Sequence, residues 1–322
     1  VLHSLSSRSK SEGASQPSDK SQTDMSCSGI ALCDPTELYN ILNQGATFPA
    51  LSDPNYLLLL DARKKHEYAE SHVVTAKKAP KDENEDFAVP YDAELECKQH
   101  VVVYDSNTRN LKEPGPGVAC AKVMWEMGSR NPVKVLKGGY EDFSALYPFL
   151  RTQKIIYMPR EYDEIKTYPT EIIPGLLYLG NWRQGNAAYI QKDLKVKGHI
   201  NCCVEPETFF KEEGQYLMHI PVEDSEESDL GSKFQSACHF IDEHKEKNQV
   251  VLVFSQLGIS RSVTIVTAYL MHHFKWSLKE SYEHMQKCCS TVRPNRGFIE
   301  QLSKWEEELF GQKMTDISDP YY

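Results

Sequence analysis

One stretch in the C-terminal half constrains the fold of this chain more than any other. Residues 250–254 are an apolar run of strand length, residues 255–260 are a short loop around Gly258, and an apolar helical pattern follows. A buried strand that enters a helix through such a loop is typical of a parallel α/β sheet. Loop amides at a helix N-terminus, together with a guanidinium, would bind phosphate. The candidate phosphate-binding residues are Ser255, Gln256, Leu257, Gly258, Ile259, Ser260 and Arg261.

The same alternation of strands and helices extends over most of the chain, in two parts. Apolar runs at 56–60 and 100–104 are each followed by an aspartate, Asp61 and Asp105, at the sheet edge where parallel α/β folds carry function. We therefore predict an α/β protein of two domains. The expected boundaries are a disordered polar extension at 1–28, a first domain at 29–152, a linker at 153–170, a second domain at 171–313 and a loose tail at 314–322.

Composition excludes several classes of function. A net charge of −10 argues against a nucleic-acid-binding surface spread over the molecule, and no apolar run approaches the ~20 residues of a membrane helix. Nine cysteines without metal-ligand spacing predict reduced thiols in an intracellular, cytoplasmic protein. We expect no metal, no cofactor and no direct contact with nucleic acid. Since Met25 precedes the first structured pattern, residues 1–24 are expected to be an upstream extension.

The second half resembles the dual-specificity phosphatases over nearly its whole length. Arg261 lies six positions after Ser255, as in the Cys-x5-Arg signature of that family, and Asp224, well before the loop, matches the place of the general acid. Two further family segments match at 268–271 and 293–298. Where this family has a histidine and a nucleophilic cysteine, the chain has Phe254 and Ser255. The resemblance therefore implies the phosphatase fold with altered catalytic positions.

The first half resembles a rhodanese domain, more faintly. Its opening segment includes Asp61 and Arg63, its closing segment spans 136–143, and Asp105 stands where an active sulfurtransferase has cysteine. A rhodanese-like domain before a phosphatase domain is the layout of the MAP-kinase phosphatases, whose rhodanese domain docks a kinase through a basic cluster. The residues near the matching place are Lys77, Lys78 and Lys81. An acidic run at 82–86 follows them, so a solvated charged loop is the favoured alternative.

The chemistry of the two altered positions predicts a protein without catalysis. A serine hydroxyl needs an adjacent base before it can attack phosphorus, and the neighbour of Ser255 is Phe254. Without a covalent intermediate, Asp224 is expected to order its loop. The loop is expected either to bind phosphate or to use Arg261 only for its own rigidity. A weakly active phosphatase is the alternative function, and a sulfurtransferase would need a thiol near Asp105.

Binding to other proteins is therefore the expected mode of action. Such a pseudophosphatase could shield a phosphorylated partner, compete with or modulate an active phosphatase, or serve as a scaffold. The resemblance implies partners among MAP-kinase pathway members, RNA-granule scaffold proteins and a mitochondrial phosphatase. It also implies a mitochondrial pool of the protein.

Overall fold

Two α/β domains make up the structure, a computed structural model that describes residues 29–45, 50–158, 160–205, 216–319, 321 and 322. The extension predicted to be disordered at 1–28 lies outside these residues. The described parts confirm the predicted alternation of strands and helices in both halves. Within them, none of the helices is long and apolar enough to cross a bilayer.

The N-terminal domain is built on a parallel sheet of five strands in the order β1-β6-β5-β2-β4. Its central strands β2 and β5 are buried, as their unbroken apolar sequences predict. A small antiparallel pair, β3 with β7, lies beside this sheet. The strands are β1 Ile30–Cys33, β2 Leu57–Asp61, β3 His72–Val73, β4 Lys77–Lys78, β5 His100–Tyr104, β6 Val133–Leu136 and β7 Arg151–Thr152, and the helices are α1 Pro35–Leu42, α2 Lys65–Glu70, α3 Pro116–Glu126 and α4 Gly139–Leu146.

The C-terminal domain has a second five-stranded sheet in the order β11-β10-β12-β9-β8, parallel except for β8 at one edge. The buried helix α9 packs against this sheet and against three neighbouring helices. The strands are β8 Thr170–Ile173, β9 Leu177–Asn181, β10 Val196–Asn201, β11 Leu217–His219 and β12 Val250–Ser255, and the helices are α6 Trp182–Gly185, α7 Ala188–Asp193, α8 Phe234–Glu246, α9 Arg261–Phe274, α10 Leu278–Cys288 and α11 Arg296–Phe310. The short helix α5 Arg160–Asp163 lies in the connection before this domain, where Asp163 accepts the hydroxyl of Ser52.

The two domains share a buried interface between α1 and the edge strand β8. The side chain of Asn40 pairs with the backbone of Glu171 in both directions, at 2.9 Å each, so α1 occupies the free edge of β8. The carboxylate of Glu171, itself buried, accepts hydrogen bonds from Thr36 and Tyr147 of the first domain and from Tyr178 of the second. One hydrophobic cluster runs through this interface from the first core into the second.

The predicted linker and the predicted tail each contain a residue that is packed against the domains. Tyr168, inside the predicted linker, is buried, and its backbone N–H donates to Asn43 Oδ1 at 2.9 Å. In the predicted tail, Thr315 is also buried: the buried carboxylate of Glu306 accepts its backbone N–H and its hydroxyl. In both segments a polar partner from another part of the chain satisfies backbone groups, and local composition carries no sign of this.

Candidate functional site

The candidate site is the loop between β12 and α9. Phe254 and Ser255 close the strand and are both buried, and the helix begins at Arg261. Gly258 has a φ of +74°, and a Cβ there would lie 2.7 Å from the carbonyl oxygen of Gly180. The left-handed backbone and this close approach together require glycine. The sequence therefore folds the segment into the strand–loop–helix unit that its pattern predicts.

Neighbouring segments fix the position of this loop. The carbonyl of Ile259 accepts the backbone N–H of Arg293 at 2.7 Å. The hydroxyl of Ser260 donates to Asp224 Oδ1 at 2.6 Å and accepts the backbone N–H of Asn295 at 3.3 Å. Two distant segments of the domain, one at Asp224 and one at 293–295, thus meet at the loop.

The hydroxyl of Ser255 has partners, but none of them is a base. Its Oγ lies 2.8 Å from Ser262 Oγ, and it accepts the backbone N–H of Gly258 at 3.3 Å. Phe254, at the place of the expected histidine, packs on Gly185, where a Cβ would lie 2.6 Å from its ring. Neither of these two hydrogen-bond partners is a base that could take the proton of the Ser255 hydroxyl.

Two N–H groups of the Arg261 guanidinium differ in their contacts. Its Nη1 donates to the carbonyl of Val222 at 2.9 Å, which ties the start of α9 to the segment before Asp224. Its Nε is buried, lies 3.8 Å from Asp224 Oδ2 and has no hydrogen-bond partner among the described residues. A buried guanidinium N–H without an acceptor is costly, so an anion in the loop would satisfy it.

Asp224 is hydrogen-bonded to its neighbours through one carboxylate oxygen. Its Oδ1 accepts both the Ser260 hydroxyl and the side-chain amide of Asn295, at 2.6 and 2.8 Å. The carboxylate is 37% exposed. These bonds agree with the loop-ordering role expected from the sequence, and they use one of the two oxygens that a general acid would present.

Two thiols lie close to the loop, and both are buried. Burial raises the pKa of Cys203 to about 11, although the positive charge of Arg261 opposes this rise. Burial also raises the pKa of Cys202, whose backbone N–H donates to the carbonyl of Phe254. A thiol in this state is protonated near neutral pH and is a poor nucleophile.

Asp105 in the N-terminal domain orders its own loop. Its Oδ1 accepts the backbone N–H groups of Asn107 and Thr108, at 3.2 and 2.9 Å. Its Oδ2 accepts the Thr108 hydroxyl at 2.6 Å and the N–H of Gly117, at the start of α3, at 2.9 Å. The carboxylate that replaces the expected cysteine is therefore buried, and both of its oxygens are hydrogen-bonded.

The three lysines expected to dock a partner differ in their contacts. Lys77 Nζ pairs with Asp92 at 2.5 Å, and Lys81 Nζ pairs with Glu85 at 3.3 Å. Lys78 Nζ donates to two carbonyls and, within the described part of the chain, has no carboxylate within 4.0 Å. Lys81 is therefore paired within the acidic run at 82–86, whereas the partner of Lys77 lies outside that run.

Comparisons with known proteins agree with this geometry. The family model "Dual specificity phosphatase, catalytic domain" matches residues 177–308, and "Rhodanese-like domain" matches residues 34–146. The chain joins a rhodanese-like domain to a dual-specificity-phosphatase-like domain. The phosphatase-like domain holds the candidate loop at 255–261, and the rhodanese-like domain holds Asp105.

Several curated proteins are similar to the chain over both domains. It is 28% identical to human dual specificity protein phosphatase 16 over 292 residues, which cover 82% of this chain and 42% of that protein. It is 32% identical to rat dual specificity protein phosphatase 5 over 237 residues, 65% of this chain and 60% of that one. The chain thus spans about half the length of these relatives. The crystal structure of human DUSP28 is 28% identical, with a TM-score of 0.42, and covers 44% of this chain and 98% of its own.

Proposed function

We propose that this protein is a pseudophosphatase that acts by binding other proteins, similar to the serine/threonine/tyrosine-interacting pseudophosphatases. The observation that carries the proposal is the setting of Ser255, a buried hydroxyl that faces Ser262 and a loop amide and has no base as a partner among the described residues. Loss of the nucleophile typically lowers the rate of such an enzyme by many orders of magnitude. The raised pKa of Cys203 argues against a neighbouring thiol as a substitute.

The loop retains the groups that would bind a phosphate. The N-terminus of α9, which is 14 residues long, begins at Arg261, and the buried Nε of this side chain has no acceptor in the described residues. A phosphoryl group would supply one and would meet the favourable end of the helix dipole. The bond from Arg261 Nη1 to Val222 supports the competing role, in which the side chain only holds the loop rigid.

Titration with a phosphotyrosine peptide distinguishes these two roles. We expect the wild-type protein to bind it and Arg261→Ala to bind at least about tenfold more weakly, since a charge-assisted contact is lost. Arg130→Ala is the matched control, because it removes the same charge at an exposed position of the rhodanese-like domain. Equal and negligible binding by wild type and Arg261→Ala would contradict phosphate binding and leave another surface as the binding site.

Turnover of a small aryl phosphate tests the alternative of a weakly active phosphatase. We expect no hydrolysis above that of buffer by the wild-type protein. Hydrolysis that disappears in Arg261→Ala would show that the loop is catalytic and would overturn the proposal. Arg130→Ala again reports any general effect of the lost charge.

The proposed binding would act on signalling in one of three ways. The protein would shield a phosphorylated partner, compete with or modulate an active phosphatase, or serve as a scaffold. The partner classes that the resemblance implies remain predictions. Affinity purification with the wild-type protein and Arg261→Ala tests them, because partners held through the loop are lost from the variant whereas partners held elsewhere are retained.

A further inference from the structure

A wide cleft lies in the rhodanese-like domain, away from the phosphate-binding loop. It has a volume of about 1240 Å³ and lies outside the carboxyl ends of β2 and β4, between residues 62–69, 78–81 and the segment that includes Phe87. All of its lining residues lie between Ala62 and Ile155 in the sequence. In open α/β sheets, ligands bind in the crevice at the carboxyl ends of the strands.

The charges that line this cleft do not cancel. Its charged lining residues are five lysines or arginines and two glutamates, namely Arg63, Lys64, Lys65, Lys78, Lys81, Glu67 and Glu85. Asp61 neutralises Arg63 through bonds of 2.6–3.1 Å, and Glu85 pairs with Lys81. Among the described residues, no carboxylate lies within 4.0 Å of the ammonium group of Lys64, Lys65 or Lys78. The cleft therefore has a surplus of positive charge.

Of the positive charges in the cleft, that of Lys78 most needs a counter-ion. Its side chain is half-buried, and its Nζ donates to the carbonyls of Asp61 and Ala79 at 3.2 and 3.1 Å. Burial lowers the pKa of this lysine, and the nearby charge of Asp61 opposes that effect. Carbonyl oxygens occupy two of its three donors without neutralising its charge, so an anion in the cleft would complete its surroundings.

The other walls of the cleft are apolar. These walls are formed by Tyr68, Pro80, Phe87 and Ile155. Lys64 and Lys65 are exposed at the rim. A free inorganic anion would leave these walls uncovered. The lining therefore suits a molecule with an aromatic or aliphatic body and a negatively charged group at one end.

We propose that this cleft is a second anion-binding site, which takes a small apolar molecule that carries a phosphate or carboxylate group. Lys78 contacts the charged group, Lys64 and Lys65 attract it from the rim, and the body packs between Tyr68 and Phe87. The site differs from the candidate loop at 255–261 in its domain and in the class of its ligand.

Two neighbouring lysines provide the test. Lys77 and Lys78 are consecutive in β4, so their side chains point to opposite faces of the sheet. Lys78 lines the cleft, whereas Lys77 pairs with Asp92 outside it. Lys78→Met and Lys77→Met therefore remove the same charge, at adjacent positions, from inside and outside the proposed site.

The probes are 1-naphthyl phosphate, 1-naphthoate and the neutral 1-naphthol, titrated by calorimetry against the full chain. We expect both anions to bind, at least about tenfold more weakly to Lys78→Met, with unchanged affinity for Lys77→Met. 1-Naphthyl phosphate should also bind the loop at 255–261, and Arg261→Ala removes this second binding event and leaves binding of 1-naphthoate as the measure of the cleft. If only one of the two anions binds, its phosphate or carboxylate is the charged group that the cleft recognises. Naphthol should bind at least about tenfold more weakly than either anion. Lys64→Ala with Lys65→Ala, at exposed positions, should weaken binding severalfold and reduce its salt dependence, even if Lys78→Met fails to fold.

Three outcomes would overturn the assignment. Equal affinities of wild type, Lys78→Met and the double rim variant would show that the cleft does not bind these anions. Loss of binding only in Arg261→Ala would move the site to the phosphate-binding loop. Lysine-dependent binding of a poly-glutamate peptide, without binding of either naphthyl anion, would show that the cleft takes an acidic protein segment instead of a small molecule.

Discussion

Tyr147→Phe is the perturbation that tests most directly how the two domains are held together. The buried carboxylate of Glu171 accepts four hydrogen bonds. Two come from the rhodanese-like domain, from Thr36 at 2.8 Å and Tyr147 at 2.5 Å. The other two come from the phosphatase-like domain, from Tyr178 at 2.5 Å and the backbone N–H of Gly175 at 2.9 Å. Tyr147→Phe removes one donor across the interface and keeps the ring.

The expected magnitude follows from the type of bond. A hydrogen bond to a charged group contributes about 1.5–3 kcal/mol, so Tyr147→Phe should lower the free energy of unfolding by about 2 kcal/mol. Tyr178→Phe is the matched control, because it removes a bond of the same length to the same carboxylate from within the phosphatase-like domain. It should lower the stability by a similar amount while the bonds across the interface remain.

Limited proteolysis of the connection at 153–170 separates the two variants. If Tyr147 holds the domains together, about 2 kcal/mol corresponds to about a thirtyfold larger population of the separated form. Cleavage should then be faster in Tyr147→Phe and close to the wild-type rate in Tyr178→Phe. Equal cleavage rates in the two variants, with equal losses of stability, would refute the reasoning, since Glu171 would then stabilise only the fold and not the interface.

Three further predictions concern the altered catalytic positions and a buried histidine. Phe254→His with Ser255→Cys should create turnover of an aryl phosphate that Arg261→Ala abolishes, because Ser262 already contacts Ser255 and because Arg261 and Asp224 are held at the same loop. No turnover would mean that the loop no longer has catalytic geometry. Asp105→Ala should lower the free energy of unfolding, measured in urea, by about 2–4 kcal/mol, because four donors lose their acceptor. A change within about 0.5 kcal/mol would contradict the structural role of Asp105. Burial lowers the pKa of His199 from 6.5 to about 3, so the unfolded state binds the proton first and stability should fall by about 2 kcal/mol between pH 7 and pH 5. His199→Gln should lose this part of the pH dependence, and an unchanged slope in calorimetric unfolding would assign it to other groups.

Much of the core and of the candidate loop was predictable because both depend on local patterns. The pattern of neighbouring residues is enough to predict the apolar strand at 250–254 and the helix after it. Glycine is required at Gly258 because the backbone there has a positive φ. The same holds for β5, whose predicted bounds His100–Tyr104 agree with the structure. Phe254, Ser255 and Asp105 were singled out differently, because the family resemblance implies other residues at their positions.

The edge strand β8 was missed, and its residues show why. It contains Thr170 and Glu171, which resemble residues of an exposed loop in sequence, and the segment before it was predicted as a linker. Both side chains are buried in the structure. A buried carboxylate is tolerated only where enough donors meet it, and here two of the four donors, Thr36 and Tyr147, come from the other domain.

The lysines near the cleft of the rhodanese-like domain are a second case in which their positions in the sequence predicted only part of their contacts. The sequence groups Lys77, Lys78 and Lys81 as one basic cluster beside an acidic run. In the structure, Lys77 and Lys81 pair with carboxylates, and Lys78 instead joins Lys64 and Lys65 in a shared cleft. Because β4 pairs with β2 as a strand, its adjacent residues Lys77 and Lys78 point to opposite faces of the sheet. This pairing therefore decides which lysine keeps an uncompensated charge.

The sequence by itself therefore determined the α/β class and the division into two domains, since these follow from local periodicity. The resemblance of its motifs to known families singled out Phe254, Ser255 and Asp105. Only the tertiary structure decided what each polar side chain does: that Asp105 and Asp224 order loops, that Glu171 joins the domains, and that Lys78 faces a cleft without a counter-ion among the described residues. The physical reason is that the energy of a buried charge depends on the donors, acceptors and charges within a few ångströms of it, and folding brings these from distant parts of the chain.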